Sequence, residues 1–355
     1  MQCEDFLLHC TKKLDSSYIG VHYRSRMVIS TNTLTSGNPI LFWLDVAHAA
    51  SSWLLPPDQS TALRSGAPFP PEKLQVFSDA HVGEGEYRLF IPPDAAEEQL
   101  PLVVMLHGCS QDPDDFAAGT SMNQAAAGAG FAVLYPAQSK AANSQRCWNW
   151  FDATHQQRGS GEPALLAAMT HHAIANHPID PERVYVAGLS AGGAMAAILG
   201  ETYPDVYAAV GVHSGLAARA AGDLSTAVSA MQGRNTFSVS DPSGMPTIVF
   251  HGDADGTVHA KNGVHVIEAC AGGDAAVESV TLLGLGGRDA TRSLHRANDG
   301  SIVAEHWVVH GASHAWSGGS RSGSFADDLG PAASAEMLRF FSERPRRPLM
   351  EHEAR

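Results

Sequence analysis

The feature that most constrains the fold is a short strand that runs directly into a helix through GLSAG at residues 188–192. Residues 183–187 (RVYVA) are rich in β-branched and aromatic side chains, as expected of a buried strand. From Ala191 the residues are small and favour a helix, and Pro204 follows the predicted helix end. An ordinary small-residue turn could read the same, but at a strand-to-helix junction a serine can take strained backbone angles that expose its hydroxyl. We therefore predict that Ser190 is a nucleophile.

The charge and the apolar content exclude several classes of function. The 355 residues carry a formal net charge of −14, which argues against nucleic-acid binding because nothing would neutralise the phosphates. No apolar run approaches the length of a membrane span, so no membrane partner is expected. The five cysteines form no C-x-x-C pair and no Cys/His cluster with zinc-ligand spacing. We therefore expect no metal site and no cofactor.

The chain divides into an extension, one large α/β region and a short tail. Residues 1–72 have no clear periodicity and end in a Pro/Ser/Gly-rich passage, so we expect a loosely ordered extension and linker. Residues 73–345 form the predicted catalytic domain, and residues 346–355 form a C-terminal tail. The first residues, MQCEDFLLHCTKK, lack the basic start and the long apolar stretch of a signal peptide. No secretory leader is therefore readable.

Strands and helices alternate through the α/β region. Continuous apolar strands separated by helices predict a mostly parallel sheet that is flanked by helices on both faces. Active groups in such sheets lie at the carboxyl ends of the strands. The predicted strands are 86–91, 102–106, 130–135, 183–187, 208–212, 247–250 and 305–309, and the predicted helices are 122–129, 162–175, 191–199, 263–269 and 332–342.

Two loops that follow later strands carry the partners that a serine nucleophile needs. A base must take the serine proton, and a carboxylate must orient that base, in the chain order Ser, Asp or Glu, His. The first loop offers Asp253 and Asp255. Asp253 follows the strand closely and could brace the turn, whereas Asp255 lies further out and is the predicted acid. In the second loop His310 stands at the strand end, and His314, among small residues, is the predicted base.

An acyl-transfer site also needs N–H groups aimed at the developing oxyanion. The amide of Ala191, directly after the nucleophile, is one candidate. The loop at residues 106–110 (LHGCS) follows an earlier strand and offers the amide of Cys109, with His107 turning the loop. An ordinary Gly-containing turn after a strand is the alternative interpretation of this loop.

Five segments stand in collinear order between residues 74 and 342, and they read LHGCSQDPDDFAAGTSMNQAA, GFAVLYPAQSKAANSQRCWNWF, GLSAGGAM, HGDADGTV and SHAWSGG. Together they resemble the short-chain polyhydroxyalkanoate (PHB) depolymerase family of esterases. The resemblance implies an α/β-hydrolase fold, the triad Ser190, Asp255 and His314, and an oxyanion loop at residues 107–109. It also implies hydrolysis of poly(3-hydroxybutyrate)-like polyesters or their oligomers.

Other functions stay open beside this resemblance. Feruloyl and acetylxylan esterases are near relatives of the family, so a carbohydrate ester or a general short-chain ester is the alternative substrate. A catalytically idle fold that serves as a binding module is a further alternative, against which the intact Ser, Asp and His set argues. Many family members are secreted, which implies an extracellular location that no readable signal peptide supports. The sequence does not indicate an oligomeric state.

The segment CWNWF at residues 147–151 follows a sheet strand and places aromatic side chains near the predicted site. We expect Trp148 and Trp316 to form apolar walls for an ester chain, and Asn149 and His107 to contact substrate. Arg146 or Asn149 could supply a polar contact to the ester carbonyl. The alternative is that the aromatic residues only pack the core.

We also expect a disulfide between Cys109 and Cys147. The two cysteines flank the predicted oxyanion loop and the predicted aromatic wall, and a bond between them would hold the Cys109 amide in place. Their Cα atoms should then lie about 4.4–6.8 Å apart. Two unpaired thiols are the alternative, since no signal peptide is visible. Cys270 is expected to be a quiet apolar residue on or just after a helix.

Overall fold

The computed structural model describes residues 73–93, 95, 99–234, 241–273, 275–297 and 299–346. The predicted extension at 1–72 lies outside the described residues, as does the predicted tail apart from Arg346.

Within the described part, ten strands form one sheet, in the order β1-β2-β4-β3-β5-β6-β7-β10-β9-β8. The six strands from β4 to β10 in this order are parallel, and the strands outside them pair antiparallel. The prediction of a mostly parallel sheet is therefore confirmed. The strands are β1 Gln75–Asp79, β2 Gly83–Phe90, β3 Leu100–Leu106, β4 Ala132–Ala137, β5 Ile179–Leu189, β6 Ala209–His213, β7 Thr247–Gly252, β8 Ala276–Leu285, β9 Arg288–Arg296 and β10 Ile302–Val309; two short strands, β11 Trp316–Ser317 and β12 Ala326–Asp327, pair separately.

Helices cover both faces of this sheet and form a separate apolar core with each face. Side chains of α3 and α4 belong to one core, and side chains of α2 and α7 belong to the other. Every residue of β3 is buried, as expected for a central strand covered on both sides. The helices are α1 Pro113–Thr120, α2 Met122–Ala129, α3 Gly161–Asn176, α4 Ala191–Thr202, α5 Leu224–Met231, α6 Lys261–Ala271 and α7 Ala333–Ser342. In the described ranges, no helix has both the length and the apolar character needed to cross a membrane.

The predicted elements do not include β1, β8, β9, β11, β12, α1 or α5, mainly because these elements are short or lie toward the edges of the sheet. β8 has six apolar residues in ten, but none of its residues is fully buried, and the alternation expected of a half-buried strand is weak. Helix α1 did carry a start signal, because the Asp112 side chain accepts the N–H of Asp115 at 3.0 Å and Pro113 follows it.

The sheet brings the predicted site residues to one edge. Strands β3, β5, β7 and β10 are parallel, so the loops after their carboxyl ends lie on the same side. These loops carry the predicted oxyanion loop at residues 107–109 (the oxyanion segment), Ser190, Asp255 and His314.

Candidate active site

The turn between β5 and α4 holds Ser190 in a strained conformation. Its backbone has φ 58° and ψ −117°, outside the usual regions for a residue with a side chain. A Cβ on Gly188 would overlap the backbone of Gly192, and a Cβ on Gly192 would overlap the carbonyl oxygen of Leu106. The N–H of Ser190 donates to the carbonyl oxygen of His213 at 2.9 Å. The strand-to-helix turn therefore has the geometry expected of a nucleophile elbow.

Asp255 and His314 form a hydrogen-bonded pair at the same edge. The Nδ1 atom of His314 lies 2.7 Å from Oδ2 of Asp255, which is 8% exposed. The other carboxylate oxygen of Asp255 accepts the N–H groups of Thr257 and Val258, each at 2.8 Å. A carboxylate fixed in this way orients the imidazole and leaves its Nε2 atom as the proton acceptor.

The surroundings of Asp255 keep it ionised. Burial alone would raise its pKa, but the His251 ring at 3.5 Å and hydrogen bonds from His314 and the Val258 N–H outweigh burial and hold the pKa of Asp255 well below its usual range. Among the described residues, no hydrogen bond joins the Ser190 hydroxyl to His314. Such contacts are often long in unliganded enzymes and tighten when substrate binds.

Asp253 and His310, the other carboxylate and imidazole of these loops, pair with each other. The Nδ1 atom of His310 lies 2.8 Å from Oδ2 of Asp253, and Oδ1 accepts the Gly311 N–H at 2.6 Å. The Nε2 atom of His310 lies 2.9 Å from the hydroxyl of Thr291. Asp253 therefore braces the turn after β10, and its carboxylate is not the one bonded to His314.

Two backbone N–H groups beside the elbow have no hydrogen-bond acceptor among the described residues, and they belong to Cys109 and Ala191. Ala191 is the first residue of α4, where N–H groups have no partner inside the helix. The segment before Cys109 packs on the elbow, since a Cβ on Gly108 would lie 3.5 Å from the carbonyl oxygen of Leu189. Both N–H groups can therefore donate to a ligand at this edge of the sheet.

The structure contains the predicted disulfide between Cys109 and Cys147, with a Cα–Cα distance of 4.2 Å, slightly below the expected range. The N–H of Ser110 donates to the carbonyl oxygen of Gln145 at 2.7 Å, beside the disulfide. The oxyanion segment is thus tied to the segment after β4 by a covalent bond and a hydrogen bond. Cys270 is unpaired and buried in α6.

His107 braces the oxyanion segment from inside the protein, which differs from the expected contact with substrate. Its ring is 1% exposed; Nδ1 donates to the carbonyl oxygen of Gly108 at 2.8 Å, and Nε2 accepts the N–H of Gln138 at 3.1 Å. Burial lowers the pKa of His107 to about 4, so the ring is neutral, as this pattern of bonds requires.

The two tryptophans predicted as walls of an open cleft lie in the core instead. Trp148 is 2% exposed and donates its indole N–H to the carbonyl oxygen of His107 at 3.1 Å. Trp316 is 1% exposed and donates to the Ser334 hydroxyl at 3.1 Å. The sequence does not distinguish a tryptophan in a cleft wall from one in the core, because the residues that cover these rings come from distant parts of the chain.

The polar side chains proposed as carbonyl contacts also have protein partners. Asn149 donates its side-chain amide to Glu162 at 2.6 Å and accepts from Asn143 at 2.9 Å. Arg146 forms an ion pair with Asp112 at 3.1 Å. The structure therefore gives both residues a role in holding their own loops.

His213, which no sequence motif singles out, links the elbow to the loop that carries His314. Its carbonyl oxygen accepts the Ser190 N–H, its Nε2 accepts the Ser317 N–H at 2.9 Å, and its ring stacks on Trp316. Burial lowers the pKa of His213 to about 3, so the ring is neutral and can accept that bond. The only available signal was its position at the end of a predicted strand. Among the described residues, no group of three or more His, Cys, Asp or Glu side chains is arranged to hold a metal ion.

Comparisons with known proteins identify a depolymerase and esterases as relatives of this chain. Poly(3-hydroxyalkanoate) depolymerase C of Paucimonas lemoignei is 34% identical over 213 residues, which cover 56% of this chain and 48% of that protein. Feruloyl esterase B of Neurospora crassa is 34% identical over 126 residues, which cover 35% of this chain and 42% of that protein. The chain thus spans about half of the length, or less, of these curated relatives.

A solved structure shows the same fold. The acetyl xylan esterase from Aspergillus awamori superposes with a TM-score of 0.57 at 20% sequence identity, over 68% of this chain and 94% of that chain. This likeness confirms the predicted α/β-hydrolase fold. The profile of the esterase PHB depolymerase family matches residues 85–270, more than half of the 355 residues. The chain therefore belongs to the esterase PHB depolymerase family.

Proposed function

We propose that this chain is a serine ester hydrolase in which Ser190 is the nucleophile, His314 the base and Asp255 the orienting acid. The observation that carries the proposal is the 2.7 Å bond between Asp255 and His314 at the sheet edge where the strained elbow presents Ser190. A hydroxyl, an imidazole and a carboxylate contributed by three strand ends are the parts that acyl transfer requires.

The reaction follows from these parts. The Ser190 oxygen attacks the ester carbonyl carbon while Nε2 of His314 takes the serine proton. The N–H groups of Cys109 and Ala191 donate to the oxygen that becomes negative. His314 then returns the proton to the leaving alcohol, which leaves an acyl group on Ser190. Water, deprotonated by His314, attacks this acyl group, and the acid is released as the serine regains its proton.

The proposed substrate is a poly(3-hydroxybutyrate)-like aliphatic polyester or its oligomers. Membership of the family and the similarity to a poly(3-hydroxyalkanoate) depolymerase support this choice. The second candidate is an acyl or feruloyl ester of plant polysaccharide, or a general short-chain ester. It is supported by the 34% identity to a feruloyl esterase and by the fold shared with an acetyl xylan esterase.

Product analysis decides between the candidates. Wild-type protein and Ser190→Ala are incubated separately with a polyhydroxybutyrate film, hydroxybutyrate oligomers, feruloylated or acetylated xylan and a soluble short-chain ester. The proposal predicts release of hydroxybutyrate products by the wild-type protein and no release by the variant. Ferulate or acetate as the main Ser190-dependent product would establish the second candidate. Equal rates for variant and wild type on every substrate would contradict the proposed mechanism.

A further inference from the structure

Glu162, near the start of α3, is a buried carboxylate bonded to amide groups. Its residue is 6% exposed. Oε1 accepts from the side-chain amides of Gln138 at 2.5 Å and Asn149 at 2.6 Å, and Oε2 accepts the backbone N–H of Asn149 at 2.7 Å. A buried carboxylate is costly unless hydrogen bonds compensate it, so these three short bonds hold their donors firmly.

Gln138, the first of these donors, is also bonded to the oxyanion segment. The backbone N–H of Gln138 donates to Nε2 of His107, and Nδ1 of that imidazole donates to the carbonyl oxygen of Gly108. The peptide carbonyl of Gly108 and the N–H of Cys109 belong to the same planar amide. Holding the Gly108 oxygen therefore fixes the direction of the Cys109 N–H.

Asn149, the second donor, is connected to the same amide through the chain and the disulfide. Asn149 is two residues after Cys147, which is bonded to Cys109 through the disulfide. The Gln138 side chain also donates to the carbonyl oxygen of Cys147 at 3.1 Å. Glu162 thus anchors the segment after β4 at two points: Gln138, whose backbone N–H is bonded to His107, and Asn149, beside the disulfide.

One side of Glu162 and Asn149 adjoins a cavity, so packing on that side does not replace these bonds. A cavity of about 350 Å³ adjoins Glu162 and Asn149, with Val82 and Leu165 in its wall. Because this side of the loop faces open space, its position depends on hydrogen bonds to a greater degree than that of a closely packed segment.

We propose that Glu162 is a positioning residue for the oxyanion site. Glu162 holds the Cys109 amide by two routes, one through Gln138 and His107 and the other through Asn149 and the disulfide. This inference rests on the proposed function. It assigns to Glu162 an effect on transition-state stabilisation, beyond the stability that any well-bonded buried carboxylate contributes.

The chain offers a matched control in Glu305, which is 1% exposed and pairs with Arg292 and Arg339, each at 2.8 Å. These partners lie on β9 and α7, away from the disulfide loops. Glu162→Gln and Glu305→Gln both remove a buried charge while keeping the size of the side chain. A purely structural role predicts that both variants lose stability with no particular loss of catalysis.

The experiment measures kcat and KM on a soluble short-chain ester, and the affinity for a trifluoromethyl ketone that forms a tetrahedral oxyanion adduct with the serine. Glu162→Gln should lower kcat about 10- to 100-fold, less than the 10²–10³-fold typical of losing an oxyanion donor outright. KM should change less than about twofold, and ketone affinity should fall in parallel with kcat/KM. Glu305→Gln should lose thermal stability while kcat and ketone affinity stay within about twofold.

Two results with Glu162→Gln would overturn the inference on its own. Glu162→Gln with a wild-type kcat and wild-type ketone affinity, in a protein whose Cys109–Cys147 bond is intact, would remove it while the proposed function stands. Equal catalytic losses in both variants would assign the effect to general packing. If Glu162→Gln does not fold, Asn149→Ala takes its place and should show the same loss of kcat and ketone affinity. Wild-type values in that variant would overturn the inference. A Ser190→Ala variant as active as wild type would instead refute the proposed function, and the inference with it.

Discussion

At Ser190 the backbone takes a conformation that costs a residue with a side chain about 1–3 kcal/mol. Its neighbours make it possible, because Gly188 and Gly192 leave room for the backbone of the adjacent strand and helix. The N–H of Ser190 is held by His213, and its carbonyl oxygen accepts the Ala194 N–H at 2.9 Å. The strained residue is thus held by hydrogen bonds to its own N–H and its own carbonyl oxygen.

The close approach at Gly192 gives a prediction. In Gly192→Ala the added Cβ would overlap the carbonyl oxygens of Leu106 and His107, so the oxyanion segment or the helix must move. We expect hydrolysis to fall at least about 100-fold and stability to fall with it. Gly128→Ala is the control, since a Cβ there meets nothing within 4 Å and α2 should gain about 0.5–1 kcal/mol. Thermal melting and ester assays on both variants test this, and an active, stable Gly192→Ala would contradict it.

The two carboxylates of one loop give a second prediction at this scale. Asp255→Asn should lower kcat on the order of 10⁴-fold, because an amide favours the wrong tautomer of His314. Asp253→Asn should lower it less than about tenfold, since its carboxylate bonds to His310 and Gly311. A greater loss from Asp253→Asn would reverse the assignment of the acid.

The pH dependence of stability has a defined sign for Asp255. Its pKa in the folded protein lies well below the unfolded value, so its charge stabilises the fold fully above about pH 4, and this contribution is lost as the pH falls toward the folded-state pKa. The difference in free energy of unfolding between wild type and Asp255→Asn should therefore shrink as the pH falls below about 4. A difference that grows on acidification, in urea titrations across this range, would contradict the assigned pKa direction.

At the scale of elements, the sequence predicted what depends on local pattern. Central strands are continuous apolar runs, and the prediction located β3, β5, β7 and β10 with errors of a few residues at their ends. The outer strands β8 and β9 were missed because they are only partly buried, and their pairing is non-local information. The strand ends located Ser190, Asp255 and His314, because a parallel sheet brings such ends together without further detail.

What surrounds these residues depends on tertiary contacts and was less predictable. The aromatic residues of segment 147–151 read equally well as cleft or core, and burial beneath distant elements decides for the core. Glu162 and His213 carry no motif of their own. Their importance comes from bonds to Gln138, Asn149 and Ser190, which lie 13 to 24 residues away in sequence.

The disulfide joins two of these elements and supports a further prediction. Replacing both Cys109 and Cys147 with alanine should lower the free energy of unfolding by about 3–4 kcal/mol, the chain-entropy value for a loop of 38 residues. It should also lower kcat, because the Cys109 amide loses one of its restraints. Cys270→Ala, which removes a buried thiol from α6, should leave kcat unchanged. Urea unfolding and ester assays on the variants test this. A double variant that keeps the wild-type kcat would show that the disulfide does not restrain the oxyanion site.

At the scale of the whole molecule, one edge of the sheet collects every group that the proposed reaction uses. The Ser190 turn, the Asp255 loop and the His314 loop follow adjacent or nearly adjacent parallel strands, and the oxyanion segment follows the strand on the other side of the elbow. Two apolar cores fix this sheet from both faces, so the separation of the groups is set by the fold as a unit. This arrangement, in a chain of the esterase PHB depolymerase family, is the central basis of the proposed mechanism.

The most direct test of that mechanism is the rate of ester hydrolysis by Ser190→Ala, measured beside wild type on a soluble short-chain ester with matched thermal melting curves. The variant removes only a hydroxyl from a bonded backbone, so it should fold as wild type does. Its kcat should fall on the order of 10⁴-fold or more, as is typical of a triad nucleophile. A pure, folded variant that keeps a substantial fraction of the wild-type rate would contradict the account, because another residue would then be the nucleophile.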